Sequence, residues 1–241
     1  MSVLLDASFT KSTAHYLGGQ HALAIQSSSA FPGRPISCTY PPISYRKLLA
    51  GDRDEAAQVL EAARTYGIFS VPEGEALLTE SQQLHGLAKD AFSAPATGTV
   101  KTTDKDQRPD TVEFFNISKD DLHVVTPSRS YPPQRMRQWP LLQSFTRRGH
   151  ECGMVILRAL AEQLGLQPDE FTNLSLFDRP SGDHRRLTHK TPHSSDRANA
   201  VGLPSPTDFG SVTVLFNWSG GLQVESNTEG KMPTQILAKT R

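Results

Sequence analysis

Pro206-Thr207-Asp208-Phe209-Gly210-Ser211-Val212-Thr213-Val214-Leu215-Phe216 decides how this chain reads: a short turn runs directly into a block of β-branched and apolar residues. The block is a strand signature, and Asp208 followed by Phe209-Gly210-Ser211 is turn chemistry. Pro206 removes a backbone N–H and restricts φ, which suits a strand start or sheet edge and not a central ladder. Pro204-Ser205 stiffen the approach. Downstream, Gly220-Gly221 leads into Leu222-Gln223-Val224, and upstream Arg186-Leu187-Thr188-His189 is a further strand segment, so the chain is β-rich from about residue 185.

Ahead of this region the pattern is helical. Asp52 followed by Glu55 is a capping-box-like start, Ala56, Val59, Leu60 and Ala63 repeat at helical spacing, and Gly67 supplies the stop. Ile68-Phe69-Ser70-Val71 predicts a short buried strand, and Leu77, Leu84, Leu87, Ala88 and Phe92 predict a second amphipathic helix. Pro140 suits the first turn of a long helix with Leu141, Phe145, Cys152, Val155, Ile156, Ala159 and Leu160 on one broad face, ending near Gly165. Residues 168–176 read as a further short helix. Residues 93–110, rich in Thr, Asp, Lys, Gly and Pro, read as a surface loop, and so do residues 128–133. Arg129 and Arg135 there are solvated charges or contacts for an acidic substrate.

The 241 residues hold 25 Lys plus Arg and 25 Asp plus Glu, so no net field draws the chain to nucleic acid or an anionic membrane. Nothing approaches the apolar length of a membrane span. The two cysteines, Cys38 and Cys152, and the lack of a signal-peptide pattern imply reduced thiols and a cytoplasmic setting. Cys152 reads as a small core residue. Residues 1–39, with Gly18-Gly19 and Ser27-Ser28-Ser29, suit an arm or a poorly ordered extension carrying His15 and His21 as surface histidines.

Several segments together resemble one family. Tyr40-Pro41-Pro42-Ile43-Ser44-Tyr45, Ala62-Ala63-Arg64-Thr65-Tyr66-Gly67-Ile68-Phe69, Glu113-Phe114-Phe115-Asn116-Ile117-Ser118-Lys119-Asp120-Asp121 and residues 207–224 resemble the isopenicillin-N-synthase-like Fe(II)/2-oxoglutarate oxygenases, particularly their fungal branch. The resemblance implies an α+β fold: a double-stranded β-helix (jelly roll) with an N-terminal helical region and a long scaffold helix. The expected divisions are an arm (1–39), an N-terminal oxygenase-type region (40–125), a partial jelly-roll core (126–224) and a divergent tail (225–241).

The same resemblance implies Fe(II) and 2-oxoglutarate, with the metal held by two imidazoles and one carboxylate. Asp208 occupies the carboxylate position, and Pro206, with no donor atom, stands where a histidine is expected. His189 lies where relatives place a polar contact to 2-oxoglutarate, and Thr191 stands where a tyrosine is common. No histidine follows His193, so the distal imidazole and the Arg-x-Ser pair that grips 2-oxoglutarate have no counterpart after Val224, and the jelly roll is expected to be incomplete, with an exposed sheet that a protein partner would cover. His184, His189 and His193 offer a rearranged metal site, although His184 and His189 point to opposite sides of an unbroken strand. The implied function is a dioxygenase of fungal secondary metabolism acting on a small molecule, inactive or strongly impaired in this form. The rivals are a non-catalytic small-molecule- or partner-binding pseudoenzyme, and a cofactor-free isomerase or cyclase, for which no motif speaks.

Overall fold

The computed structural model describes residues 2–5, 25–27, 41–93, 100–103, 109–126, 129, 131, 136–190, 210–218, 222–225 and 234–236. In chain order they form β1 (Ser2–Leu5), β2 (Ile25–Ser27), α1 (Tyr45–Leu49), α2 (Arg53–Thr65), β3 (Ile68–Ser70), α3 (Glu75–Ser93), β4 (Val100–Thr103) and β5 (Pro109–Ser118). There follow α4 (Lys119–His123), α5 (Trp139–Gln163), a 3-10 turn (Thr172–Leu174), β6 (His184–Lys190), β7 (Val212–Leu215), β8 (Leu222–Glu225) and β9 (Thr234–Ile236). The strands pair in three three-stranded sheets, β3-β1-β7, β2-β8-β9 and β4-β5-β6, with antiparallel neighbours throughout. The fold is α+β, and the expected jelly roll is seen in part.

Short polar side chains set the helix starts. The Ser44 hydroxyl accepts from the Lys47 amide to open α1, and the Asp52 carboxylate accepts from the Glu55 amide at 2.9 Å to open α2. Glu55 does not close the reciprocal box that the sequence suggests. Its carboxylate instead accepts from the Ser44 amide at 2.5 Å and the Lys47 ammonium at 3.1 Å, so it joins the two helices. Gly67, at φ +63°, takes the left-handed position that stops α2, and its amide bonds the carbonyls of Ala62 and Ala63.

The long helix α5 organises the core. Pro140 lies in its first turn, where a missing N–H costs nothing. Toward its C-terminal half, Cys152, Ile156, Ala159 and Leu160 pack with Val59, Ala62, Phe69 and Ile43. Leu142 nearer the start packs with Leu84, Ala88, Phe115, Ile117, Leu122 and Leu187. One amphipathic helix thus serves both an α2–β3 core and the back of the β4-β5-β6 sheet.

Three expectations need revision. Residues 93–110 are not a single loop: Val100–Thr103 is a strand, with Val100, Lys101 and Thr103 paired to β5 despite the polar character of the stretch. The short helix expected over 168–176 contracts to the Thr172–Leu174 turn: Phe171 packs against the core, but Leu174 is 84% exposed, so no continuous apolar face is covered. Within the expected arm, residues 2–5 and 25–27 are strands whose hydrogen-bonding partners lie in the C-terminal region or, for β1, also in β3. No helix of the described residues is long and apolar enough to cross a membrane.

Candidate functional site

The β4-β5-β6 sheet places the strand-borne candidates. Opposite residues on β5 and β6 are Glu113 and His189, Phe114 and Thr188, Phe115 and Leu187, Asn116 and Arg186, Ile117 and Arg185. Because side chains alternate across a strand, Phe115, Ile117 and Leu187 face the helices and are buried. Asn116, Arg186 and Thr188 lie on the other face and are exposed, with Phe114 half-buried beside them.

His189 sits at the margin of the helix-packed face. Its ring stacks on Phe92 of α3 at 5.1 Å, and its Nδ1, which is buried, lies 3.7 Å from a Glu113 carboxylate oxygen. The side chain is 42% exposed, so its accessible area belongs to the other ring atoms. His184 is exposed at the opposite end of β6, which runs unbroken through both residues, and the two therefore point to opposite faces. Asp208 and Pro206 lie outside the described residues, as do Thr191, His193, Arg135, Cys38, His15 and His21. Among the described residues no group of three or more His, Cys, Asp or Glu side chains comes together to hold a metal ion. The described residues by themselves do not make up a three-point Fe(II) anchor.

The residues just after β7 are fastened to the helices. Trp218 donates its indole N–H to Ser81 of α3 at 2.8 Å and stacks on His85, and Phe216 contacts Phe145 of α5. On the open face of the sheet, the Arg186 Nε donates to Asn116 Oδ1 at 2.9 Å, and its guanidinium lies over the Phe114 ring at 4.9 Å.

The chain's charged triplet Lys119-Asp120-Asp121 is buried, which composition alone does not signal. Lys119 donates to the carbonyls of Phe177 and Arg179, each at 2.7 Å, and pairs with Asp120 at 2.9 Å. Burial pushes the Asp120 carboxyl up, but hydrogen bonds from Lys119 and the Ser181 amide outweigh it and hold the group below the usual carboxylate range. Asp121 is likewise raised by burial and lowered further by the Tyr131 hydroxyl and by Arg129, with the net result below the usual range. Arg129 is thus tied to Asp121 at 2.9 Å while its side chain stays largely in solvent. This clamp pins residues 129 and 131 to α4.

Phe177 forms a hub beside it. His123 and His150 meet its ring edge-on at 4.7 and 5.0 Å, and the Arg147 guanidinium lies 4.2 Å from its centre. Burial lowers the pKa of both histidines, helped at His123 by Arg147, Arg185 and Lys119 and at His150 by Lys119 and Arg185, against the pull of Asp183. Burial also pulls Arg185 down to about 10; it donates to the Thr146 hydroxyl and carbonyl. Cys152 is buried in the core and its thiol is pushed up to about 12 by burial, the setting of an inert thiol.

The chain has recognisable relatives. A 2-oxoglutarate-dependent dioxygenase, frbH, of a Dothideomycetidae species is 27% identical over 206 residues, covering 77% of this chain and 63% of that protein. A 2-oxoglutarate-Fe(II) type oxidoreductase, ppzD, of Metarhizium majus is 39% identical over 94 residues, 37% of this chain and 26% of that protein. Over part of their length, this chain is similar to these two fungal proteins. It spans under two thirds of the length of either relative. The likeness extends to the fold: a full-length Neurospora crassa protein, solved as a crystal structure in complex with alpha-KG, superposes with a TM-score of 0.55 over 89% of this chain and 74% of its own, at 18% identity. No protein-family model matches the chain.

Proposed function

We propose that this chain is a dioxygenase-type protein of fungal secondary metabolism that keeps a small-molecule-binding face and is inactive or strongly impaired in Fe(II)/2-oxoglutarate turnover. The reading rests on Pro206-Thr207-Asp208, where a side chain without a donor atom stands at the position that the resemblance assigns to an iron-binding imidazole. The turn then offers one carboxylate. A single Asp is a weak site for a divalent ion, because Fe(II) is retained by several ligands acting together. Asp208 would hold the iron, and His189, its ring wedged between Phe92 and Glu113, would give 2-oxoglutarate a polar contact. In that family the bound iron supplies oxygen activation.

Anaerobic titration with Fe(II) and 2-oxoglutarate tests the reading. The expected result is no visible charge-transfer band at stoichiometric metal; a band at one equivalent would overturn it. Pro206→His tests which defect dominates. If the turn alone is at fault, the band and turnover return with that change, and if more ligands are needed, neither does.

The non-catalytic alternative has support of its own. The open face of the β4-β5-β6 sheet presents Asn116, Arg186 and Thr188 to solvent beside Phe114, a surface able to receive a ligand or a partner without any metal.

A further inference from the structure

We propose that this open face carries an anion site, in which the Arg186 guanidinium receives the carboxylate of a small organic acid. The proposal rests on the small-molecule-binding half of the reading above and not on its metal half.

Arg186 is exposed, yet its guanidinium is held from two sides. Its Nε donates to Asn116 Oδ1 at 2.9 Å, and the ring of Phe114 lies under it at 4.9 Å. Both supports come from β5, Asn116 directly opposite Arg186 and Phe114 two residues away on the same face. A site on paired strands is held more firmly than one on a loop. No carboxylate of the described residues reaches Arg186 within ion-pair distance, whereas Arg129 is taken by Asp121 and Arg148 by Glu80. Among the described residues nothing engages the pair of terminal amino groups, a planar fork that matches the two oxygens of a carboxylate.

Holding an arginine still has an energetic meaning. A free arginine loses side-chain freedom when it captures an anion, and this one has lost much of that freedom to Asn116 and Phe114 already, which favours binding by pre-organisation. Thr188, next along the same face of β6, adds a hydroxyl for a neighbouring oxygen. The described face offers one guanidinium and no helix N-terminus, which suits a singly charged carboxylate better than a phosphate. Two sources of that carboxylate fit the chemistry: one end of 2-oxoglutarate, or an acid group on another substrate.

The test is a titration of the full chain, in EDTA and at low ionic strength, with 2-oxoglutarate, benzoate and neutral benzamide, followed by calorimetry or by amide chemical shifts. Binding of either acid but not of benzamide is expected. Selective binding of 2-oxoglutarate identifies the co-substrate as the source, and preference for benzoate points to an acidic substrate. Arg186→Ala should weaken binding by about ten- to a hundredfold, the size of a charge-assisted bidentate contact. Arg186→Lys, which keeps the charge but loses the fork and the Asn116 bond, should weaken it by roughly tenfold. Arg158→Ala, an exposed arginine on α5, should leave it unchanged. Failure of both acids to bind, or equal loss in the Arg186 and Arg158 variants, would overturn the proposal. Because iron is absent throughout, a stoichiometric charge-transfer band in the earlier titration would remove the impaired-metal reading and leave this one standing.

Discussion

The two faces of the β4-β5-β6 sheet share every backbone hydrogen bond and part company at each side chain. On the helix-packed side, Phe115, Ile117 and Leu187 are 2, 1 and 6% exposed and belong to one apolar cluster with α3, α4 and α5. On the other side, one residue away on each strand, Asn116 and Arg186 are exposed and bonded to each other. Alternation at a period of two lets the same strands carry stability on one face and recognition on the other. The contrast teaches that stability and binding can be perturbed separately by neighbouring residues.

The sharpest break of that contrast lies at the end of β5, where the buried pair closes the packed side. Asp120→Ala leaves the Lys119 ammonium buried without its carboxylate and should cost about 3–5 kcal/mol, measured by chemical denaturation. A loss below ~1 kcal/mol would mean that the two carbonyls satisfy Lys119 alone. Phe115→Ala should cost about 3–5 kcal/mol through lost burial and the cavity left behind. Asn116→Ala, its neighbour on the open face, should cost within about 0.5 kcal/mol. Equal losses would erase the distinction between the faces.

Acid should act on the packed side first. His123 and His150 have folded pKa values below the ordinary 6.5, so as pH falls through that value the unfolded chain takes up protons before the folded one. Their contribution is complete above pH 6.5 and is lost as pH falls toward the folded values. Asp120 and Asp121, also depressed, add a second loss once pH drops below the ordinary carboxylate value of 3.8. Denaturant titrations across this range should show two stages of falling stability. His150→Phe should blunt the upper stage, and Arg186→Ala should leave both in place.

Between the losses at the packed face and that at Asn116 lies the expected effect of Tyr131→Phe. It removes one hydroxyl donor from Asp121, and since the Arg129 side chain and amide still reach that carboxylate, the loss should be about 1–2 kcal/mol by denaturation. A larger loss would show that the clamp acts as a cooperative unit rather than as separate bonds.

Much of the framework is legible in local pattern. Asp52, Gly67 and Pro140 mark helix ends because their preferences act within a turn of the chain, and the apolar spacing of Cys152, Ile156 and Leu160 on α5 is a property of one helix. The β4 strand escapes such reading, since Thr and Lys look like loop residues until a neighbouring strand pairs with them. The candidate site divides the same way. Asp208 and His189 are named by resemblance of short segments, while the roles of Phe114, Asn116 and Lys119 depend on what is brought beside them.

The amino-acid order by itself determined the start and stop of α2, the first turn and apolar face of α5, the β-rich character after residue 185, and the presence of proline, not histidine, at position 206. Only the tertiary structure decided that Lys119-Asp120-Asp121 would be buried as an ion-paired, hydrogen-bonded cluster, that Glu55 would join two helices, and that Arg186 would be held over Phe114 by Asn116. The reason is physical. Helix signals arise between residues a few positions apart, whereas the burial of a charge or the orientation of a guanidinium is set by groups distant in sequence, such as Arg186 and Asn116, that only chain folding brings within hydrogen-bonding reach.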